Sequence, residues 1–173
     1  MAVKAPDTAP ITSLSENPWA DPLEPAEIKV DGRQYKSAEA LFLASSFISN
    51  QVWDAFQAHT GSEARVAYNK LIDSKEPQRP SWLEKTTEAA GAVPGFMELL
   101  RRTFILKYQQ NPALCKQLLD THYRSIKLVI NPNGVPSNWI SDVHLNATLV
   151  IVRFQLREWK PVVVESPEHV LLG

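Results

Sequence analysis

The sequence predicts a mostly helical α+β fold, a single domain with a few short strands. Three observations predict it. Apolar residues recur at i, i+3 or i+4 in several separate segments between Ser37 and Trp159, punctuated by capping residues, glycine or proline. One Asp-Gly pair, Asp31-Gly32, sits between two short strand-like runs and signals a hairpin. A chain of 173 residues, 44% hydrophobic and 21% charged, fits one globular core, whereas two domains of half that length would each be marginal.

Residues 1–25 carry Pro6, Pro10, Pro18, Pro22 and Pro25 among Ala, Thr, Ser and Asp. That composition neither propagates a helix nor supplies a core, so it is expected to form a flexible, extended arm before a domain spanning 26–173. Trp19 is its exception, a large aromatic expected to pack on the body of its own domain rather than on a partner. Ile28-Lys29-Val30 and Gln34-Tyr35 then form the two arms of the hairpin. Ser37 can cap a helix running to about His59, with Leu41, Phe42, Ala44, Ile48, Val52, Trp53 and Phe56 on one broad face. Gly61 is expected to break the chain and Ser62 to cap a shorter helix through Ala64, Ala67, Leu71 and Ile72.

After the polar loop from Lys75 to Pro80, Ser81 and Glu84 have capping-box spacing, which starts a helix beside Trp82. Following the Gly91 to Gly95 interruption, Phe96, Met97, Leu100, Phe104 and Tyr108 predict a helix to about Gln110. Asn111-Pro112 is a cap followed by proline at the first helical position, opening a helix through Leu114, Leu118 and Leu119. Ile126 to Ile130 reads as a strand ending in the turn-rich Asn131-Pro132-Asn133-Gly134. His144 to Trp159 carries Leu145, Leu149, Val152 and Leu156 at helical spacing, although its Thr and Val content also fits a strand. Val162-Val163-Val164 is a closing strand candidate.

Composition excludes several classes of function. A net charge of −1 argues against nucleic acid, whose phosphates are met by many Lys and Arg on one face. Cys115 is alone, so there is no internal disulfide and no Cys-based zinc site, and a reducing compartment is favoured. No apolar run approaches the roughly 20 residues needed to span a bilayer, and the amino terminus lacks the layout of a signal peptide. The expectation is a cytoplasmic protein without a membrane partner, and Asn146-Ala147-Thr148 is then a chance match to the glycosylation pattern. His59, His122, His144 and His169 are scattered, without metal-ligand spacing.

The informative constellation is Glu39 in a first helical turn, with Trp82 and Trp139 on later segments. Indole faces stack on flat heterocycles or on the apolar side of a sugar. A carboxylate is what glycosidic chemistry sets opposite an oxocarbenium-like centre. Each residue also has an ordinary structural role: Glu39 at the positive end of a helix dipole, the tryptophans in the core.

Val30 to Tyr35 with Ser37-Ala38-Glu39 and Leu41 to Phe47, Pro80-Ser81-Trp82, Lys107 to Leu114, Leu118 to Thr121, Leu128-Val129, Asn138-Trp139, and Leu149 to Arg153 follow one another as a series of blocks. In the order of these blocks the chain resembles the NADAR, or YbiA-like, family of N-glycosidases acting on ADP-ribose-type and riboflavin-pathway compounds. The blocks span roughly residues 28–157. Where the family usually has His, Gln and Lys, this chain has Ala40, Leu43 and Ser46, and Ile130 stands at a usually acidic position. The family's glycine-rich loop carrying an aspartate is here the short Trp139 to His144, with Asp142 displaced by one residue.

The resemblance implies an active site of Glu39 and Asp142 as carboxylates and Trp82 and Trp139 as substrate-binding indoles, with no metal or redox cofactor. The substrate would be a sugar nucleotide or a phosphorylated ribose compound. A helix-start position predicts an ionised Glu39, a base or electrostatic stabiliser rather than a general acid. The rival reading is a catalytically degenerate form of that fold serving as a binding or interaction module, with the N-terminal arm reaching a protein partner. A third is an unrelated helical protein.

Overall fold

The computed structural model describes residues 7–79, 95–129 and 140–159. The hairpin forms where Asp31-Gly32 predicts it, with β1 at Pro25–Val30 and β2 at Arg33–Ser37, antiparallel, pairing Ile28 with Tyr35 and Val30 with Arg33. Asp31 (φ 50°) and Gly32 (φ 73°) both take left-handed backbone, which matches the twist of a two-residue hairpin. Strict alternation buries Ala26, Ile28 and Val30 on one side of β1, and Tyr35 and Ser37 on the same side of β2.

Ser37 ends the strand and caps the next element, its Oγ accepting the Ala40 N–H at 3.1 Å. Helix α1 (Ala38–Ser45) is buried at all eight positions and touches both strands and three other helices. A helix this short and apolar is held by its surroundings rather than by its own propensity. Around it pack α2 (Asn50–Phe56), α3 (Gly61–Asp73) and α4 (Gly95–Gln110). Helix α5 (Pro112–Leu119) and α6 (Asp142–Glu158) close the far side, with α6 lying along α4. The core joins Tyr35, Leu41, Phe42, Phe47, Phe56, Phe96, Leu100, Phe104, Leu145 and Leu149.

Several expectations are corrected. The helix from Ser37 to His59 is two helices with a break at 46–49. Ser45 and Ser46 each turn a hydroxyl back onto the carbonyl three residues earlier, and Ser46 N–H takes the tighter bond to Leu43, all of which unwind the turn. The freed backbone then bonds to the 77–79 loop: Arg79 N–H to Ser46 O at 2.7 Å and Ile48 N–H to Pro77 O at 3.3 Å. Trp53 Nε1 seals Phe47 O at 2.9 Å. Ile48, expected in the core, is consequently 59% exposed.

Gly61 does not break α3 but begins it, and the cap is Thr60 rather than Ser62. Thr60 and Glu63 form a reciprocal capping box, Thr60 N–H to Glu63 Oε2 at 2.8 Å and Glu63 N–H to Thr60 Oγ1 at 3.3 Å. Glycine is needed at Gly61 for space: a Cβ there would lie 2.7 Å from Leu23 Cδ2 and 3.1 Å from Leu23 Cα.

The proline-rich stretch is part of the body from residue 7 onward, not an extended arm. Ile11 and Trp19 are buried, a one-turn 3-10 helix at Pro18–Ala20 starts on its proline, and Ile11 pairs in parallel with Ile126. Trp19 rests on its own domain, as its size predicts. That single bridge is all the pairing the described part of the expected 126–130 strand makes. Leu128 is held by a side chain instead: Asn146 Oδ1 accepts its N–H at 2.9 Å and Asn146 Nδ2 donates to its carbonyl at 3.0 Å. Residues 142–158 are a helix, begun at Ser141, whose Oγ accepts the His144 N–H at 3.2 Å. The helix start at Ser81, the turn at 131–134 and the strand at 162–164 lie outside the described residues.

Candidate active site

Glu39 is the second residue of α1, and its side chain is fully buried. Oε1 accepts from Arg65 Nε of α3 at 2.9 Å, while Oε2 has no hydrogen-bond partner among the described residues. Its backbone N–H is taken by Pro22 O at 2.9 Å, and the Ala40 N–H by Ser37. Those two amides at the start of α1 are therefore already bonded and do not hold the carboxylate. Burial raises the Glu39 carboxyl above its ordinary range, Arg65 pulls it down, and the Asp21 carboxylate pushes it up again. The helix dipole is therefore not the only influence on this carboxyl: burial raises it.

Asp142 opens α6 and is half-buried. His144 lies 5.0 Å from Phe96, and Phe96 lies 5.3 Å edge-on to Phe42, which is three residues and so one turn beyond Glu39. Trp82 and Trp139 lie outside the described residues, as does Ile130. Ala40, Leu43 and Ser46, where the resembled family carries polar groups, are wholly buried, and the Ser46 hydroxyl is spent on Leu43 O.

A second buried ionisable group, which carries no motif in the sequence, is Lys107. Lys107 of α4 is fully buried, and its Nζ donates to Trp19 O at 2.9 Å and Asp21 O at 2.7 Å, with Tyr108 Oη donating to Trp19 O at 2.9 Å. Burial pushes the Lys107 amine down to about 8, against the Asp21 and Glu24 carboxylates. Asp21 thus acts electrostatically on both Glu39 and Lys107. The signal for Lys107 was available: it falls on the buried stripe of α4, at i+11 from Phe96, i+7 from Leu100 and i+4 from Thr103. Arg65, on the half-exposed side of α3, carried no such signal.

Five clefts formed by described residues lie elsewhere, and Glu39 lines none of them. Among the described residues no group of His, Cys, Asp and Glu could hold a metal ion, and no helix is long and apolar enough to cross a membrane.

Fold and site together define a mostly helical α+β domain in which a hairpin feeds a buried central helix bearing a desolvated carboxylate. No protein-family model matches the chain, and no curated protein matches it by sequence. The NMR structure of the E. coli protein YbiA is similar in fold, with a TM-score of 0.63 over 90% of this chain and 90% of that one, at 20% sequence identity. The chain therefore has a YbiA-like fold.

Proposed function

We propose that this YbiA-like domain is a cytoplasmic N-glycosidase that hydrolyses the bond between ribose and nitrogen in an ADP-ribose-type or riboflavin-pathway compound. The observation that carries the reading is Glu39: a wholly buried carboxyl with one oxygen on Arg65 and the other without a hydrogen-bond partner among the described residues. Burying such a group costs on the order of several kcal/mol, and most buried side-chain polar atoms in folded proteins have a hydrogen-bond partner. Perturbed, desolvated carboxyls are enriched where protons are exchanged.

In this reading the raised Glu39 carboxyl protonates the departing nitrogen as the bond to the anomeric carbon breaks. The resulting carboxylate then takes a proton from the water whose oxygen adds to that carbon, so the enzyme ends as it began. Arg65 opposes the effect of burial on this carboxyl. Asp142 stabilises the oxocarbenium-like centre, and Trp82 and Trp139 stack on the base or ring. No metal or redox cofactor has a role in this scheme. Cys115 as a free thiol suits a reducing compartment.

A second reading, a catalytically degenerate form of the fold that binds without turnover, is favoured by one observation: Ala40, Leu43 and Ser46 are core residues here. A partner held through the N-terminal arm is less favoured, because residues 7–24 are engaged on the body. The test is a panel of N-ribosyl phosphates and ADP-ribose-type compounds, followed for release of reducing sugar alongside calorimetric binding. Turnover of one of them supports the enzyme, and binding without sugar release supports the second reading.

A further inference from the structure

Residues 19–23 form a short strap whose contacts come from three helices. From α4, Lys107 Nζ donates to Trp19 O and Asp21 O, and Tyr108 Oη donates to Trp19 O. From α1, the Glu39 N–H donates to Pro22 O at 2.9 Å. From α3, Gly61 leaves the space that Leu23 fills, one turn ahead of Arg65. Asp21 gives the strap its own shape, its N–H donating to Pro18 O at 2.9 Å and its Oδ1 accepting the Leu23 N–H at 2.8 Å. The strap thus ties together the helices that carry Glu39, its cation Arg65 and the buried Lys107. Buried charges are ordinarily paired, yet among the described residues no carboxylate forms an ion pair with Lys107. Its direct acceptors are the strap's carbonyls, and the Asp21 and Glu24 carboxylates answer its charge from farther off.

We propose that Asp21 and Lys107 are positioning residues for Glu39. Lys107 clamps the strap to α4, so that Pro22 O fixes the start of α1 and the Asp21 carboxylate, one residue earlier, stands near the Glu39 carboxyl. That charge favours the proton which the N-glycosidase reading has Glu39 deliver, and the use made of the proton rests on that reading. A like charge nearby disfavours ionisation, so Asp21 works with burial and against Arg65. The other charged groups on the elements around α1 are engaged elsewhere. Glu27 and Lys29 lie on the exposed side of β1, Arg33 of β2 pairs with Asp54 of α2, and Lys36 bonds Ala58 O. Glu63 of α3 is spent on the helix cap, and Glu98 of α4 pairs with Arg101 and Arg102.

The Glu39 proton can be followed without a substrate, by the carboxyl carbon chemical shift of the full chain against pH, assigned by its loss in Glu39→Gln. Asp21→Asn keeps an oxygen for the Leu23 N–H and removes only the charge. Its Glu39 midpoint is expected to fall on the order of half a unit, as for loss of a like charge not in contact, with the thermal midpoint unchanged. Lys107→Met releases the strap, so amide exchange at Glu39 is expected to quicken about tenfold relative to Leu43 in the same helix. Tyr108→Phe, which removes one donor from Trp19 O, gives the same comparison with a smaller factor should Lys107→Met fail to fold. On a compound that is turned over, the high-pH limb of kcat in Asp21→Asn should move down with the Glu39 midpoint while KM holds. A Glu39 midpoint unchanged in Asp21→Asn overturns the proposal, and so does Glu39 exchange unchanged in the clamp variants. A midpoint that falls in a protein that turns over no N-ribosyl compound upholds the placement of Asp21 and overturns the N-glycosidase reading instead.

Discussion

Replacing Lys107 with Met removes a buried ammonium and nothing else of similar shape, and the consequence depends on pH in a definite direction. The amine titrates at about 8 in the folded protein and near 10.5 when unfolded. Between those values the unfolded chain binds the proton and the folded chain does not, so folding stability rises with pH across that window. The difference of two and a half units corresponds to about 3 kcal/mol at 1.36 kcal/mol per unit. Unfolding by urea, followed by tryptophan fluorescence for wild type and Lys107→Met from pH 7 to 10.5, isolates it. The tyrosine and thiol titrations are common to both proteins and cancel in the difference. Wild type should gain on the variant by up to about 3 kcal/mol as pH rises through the window, and no further above it. At pH 7 the variant also leaves Trp19 O and Asp21 O without their ammonium donor, which sets an offset but not the slope. A difference that is flat from pH 8 to 10.5 would refute the claim that burial has displaced the amine.

Three further outcomes follow from the same contacts. Gly61→Ala should destabilise by about 1 to 3 kcal/mol in chemical denaturation, because the new methyl meets Leu23 backbone and side chain; an unchanged midpoint would mean that Leu23 moves freely aside. Asn146→Ala removes both bonds to the Leu128 backbone and should cost about 1 to 3 kcal/mol, with faster amide exchange at Leu128 as the local signature. Arg65→Met should raise the Glu39 carboxyl further, since it removes a cation whose charge and hydrogen bond pull it down. Its stability deficit should therefore be smallest under acid conditions and grow with rising pH to about 3 kcal/mol as the folded carboxyl is forced to ionise; a deficit independent of pH would break the assigned pairing.

How much was legible in the sequence depended on whether the deciding interaction was local. Asp31-Gly32 fixed the hairpin and Asn111-Pro112 the junction of α4 with α5, since turn geometry and proline stereochemistry act within a few residues. The break after Ser45 was hidden because its cause includes backbone bonds to residues 77–79, about thirty positions on. Asn146 replaced a strand partner for Leu128 with a side-chain amide, which no periodicity signals. Residues 7–24 read as an arm because proline content reports what cannot be helix, not what cannot pack; Ile11, Leu14, Trp19 and Leu23 were the large apolar hints. At the site, a glutamate in a first helical turn reads as a dipole partner, and only the structure reveals the burial that raises its carboxyl. Its cation comes from 26 residues away on another helix. Lys107, by contrast, stood openly on an apolar stripe.

The central claim is that the buried Glu39 carboxyl exchanges a proton with a bound N-ribosyl compound. Single-turnover sugar release by wild type and Glu39→Gln, on the compound that wild type turns over best, tests it most directly. Gln keeps the shape and an acceptor oxygen for Arg65 but cannot exchange the proton, so the account predicts a loss of about 10² to 10⁴ in rate with binding and thermal midpoint little changed. A Glu39→Gln protein that releases sugar at the wild-type rate would contradict it.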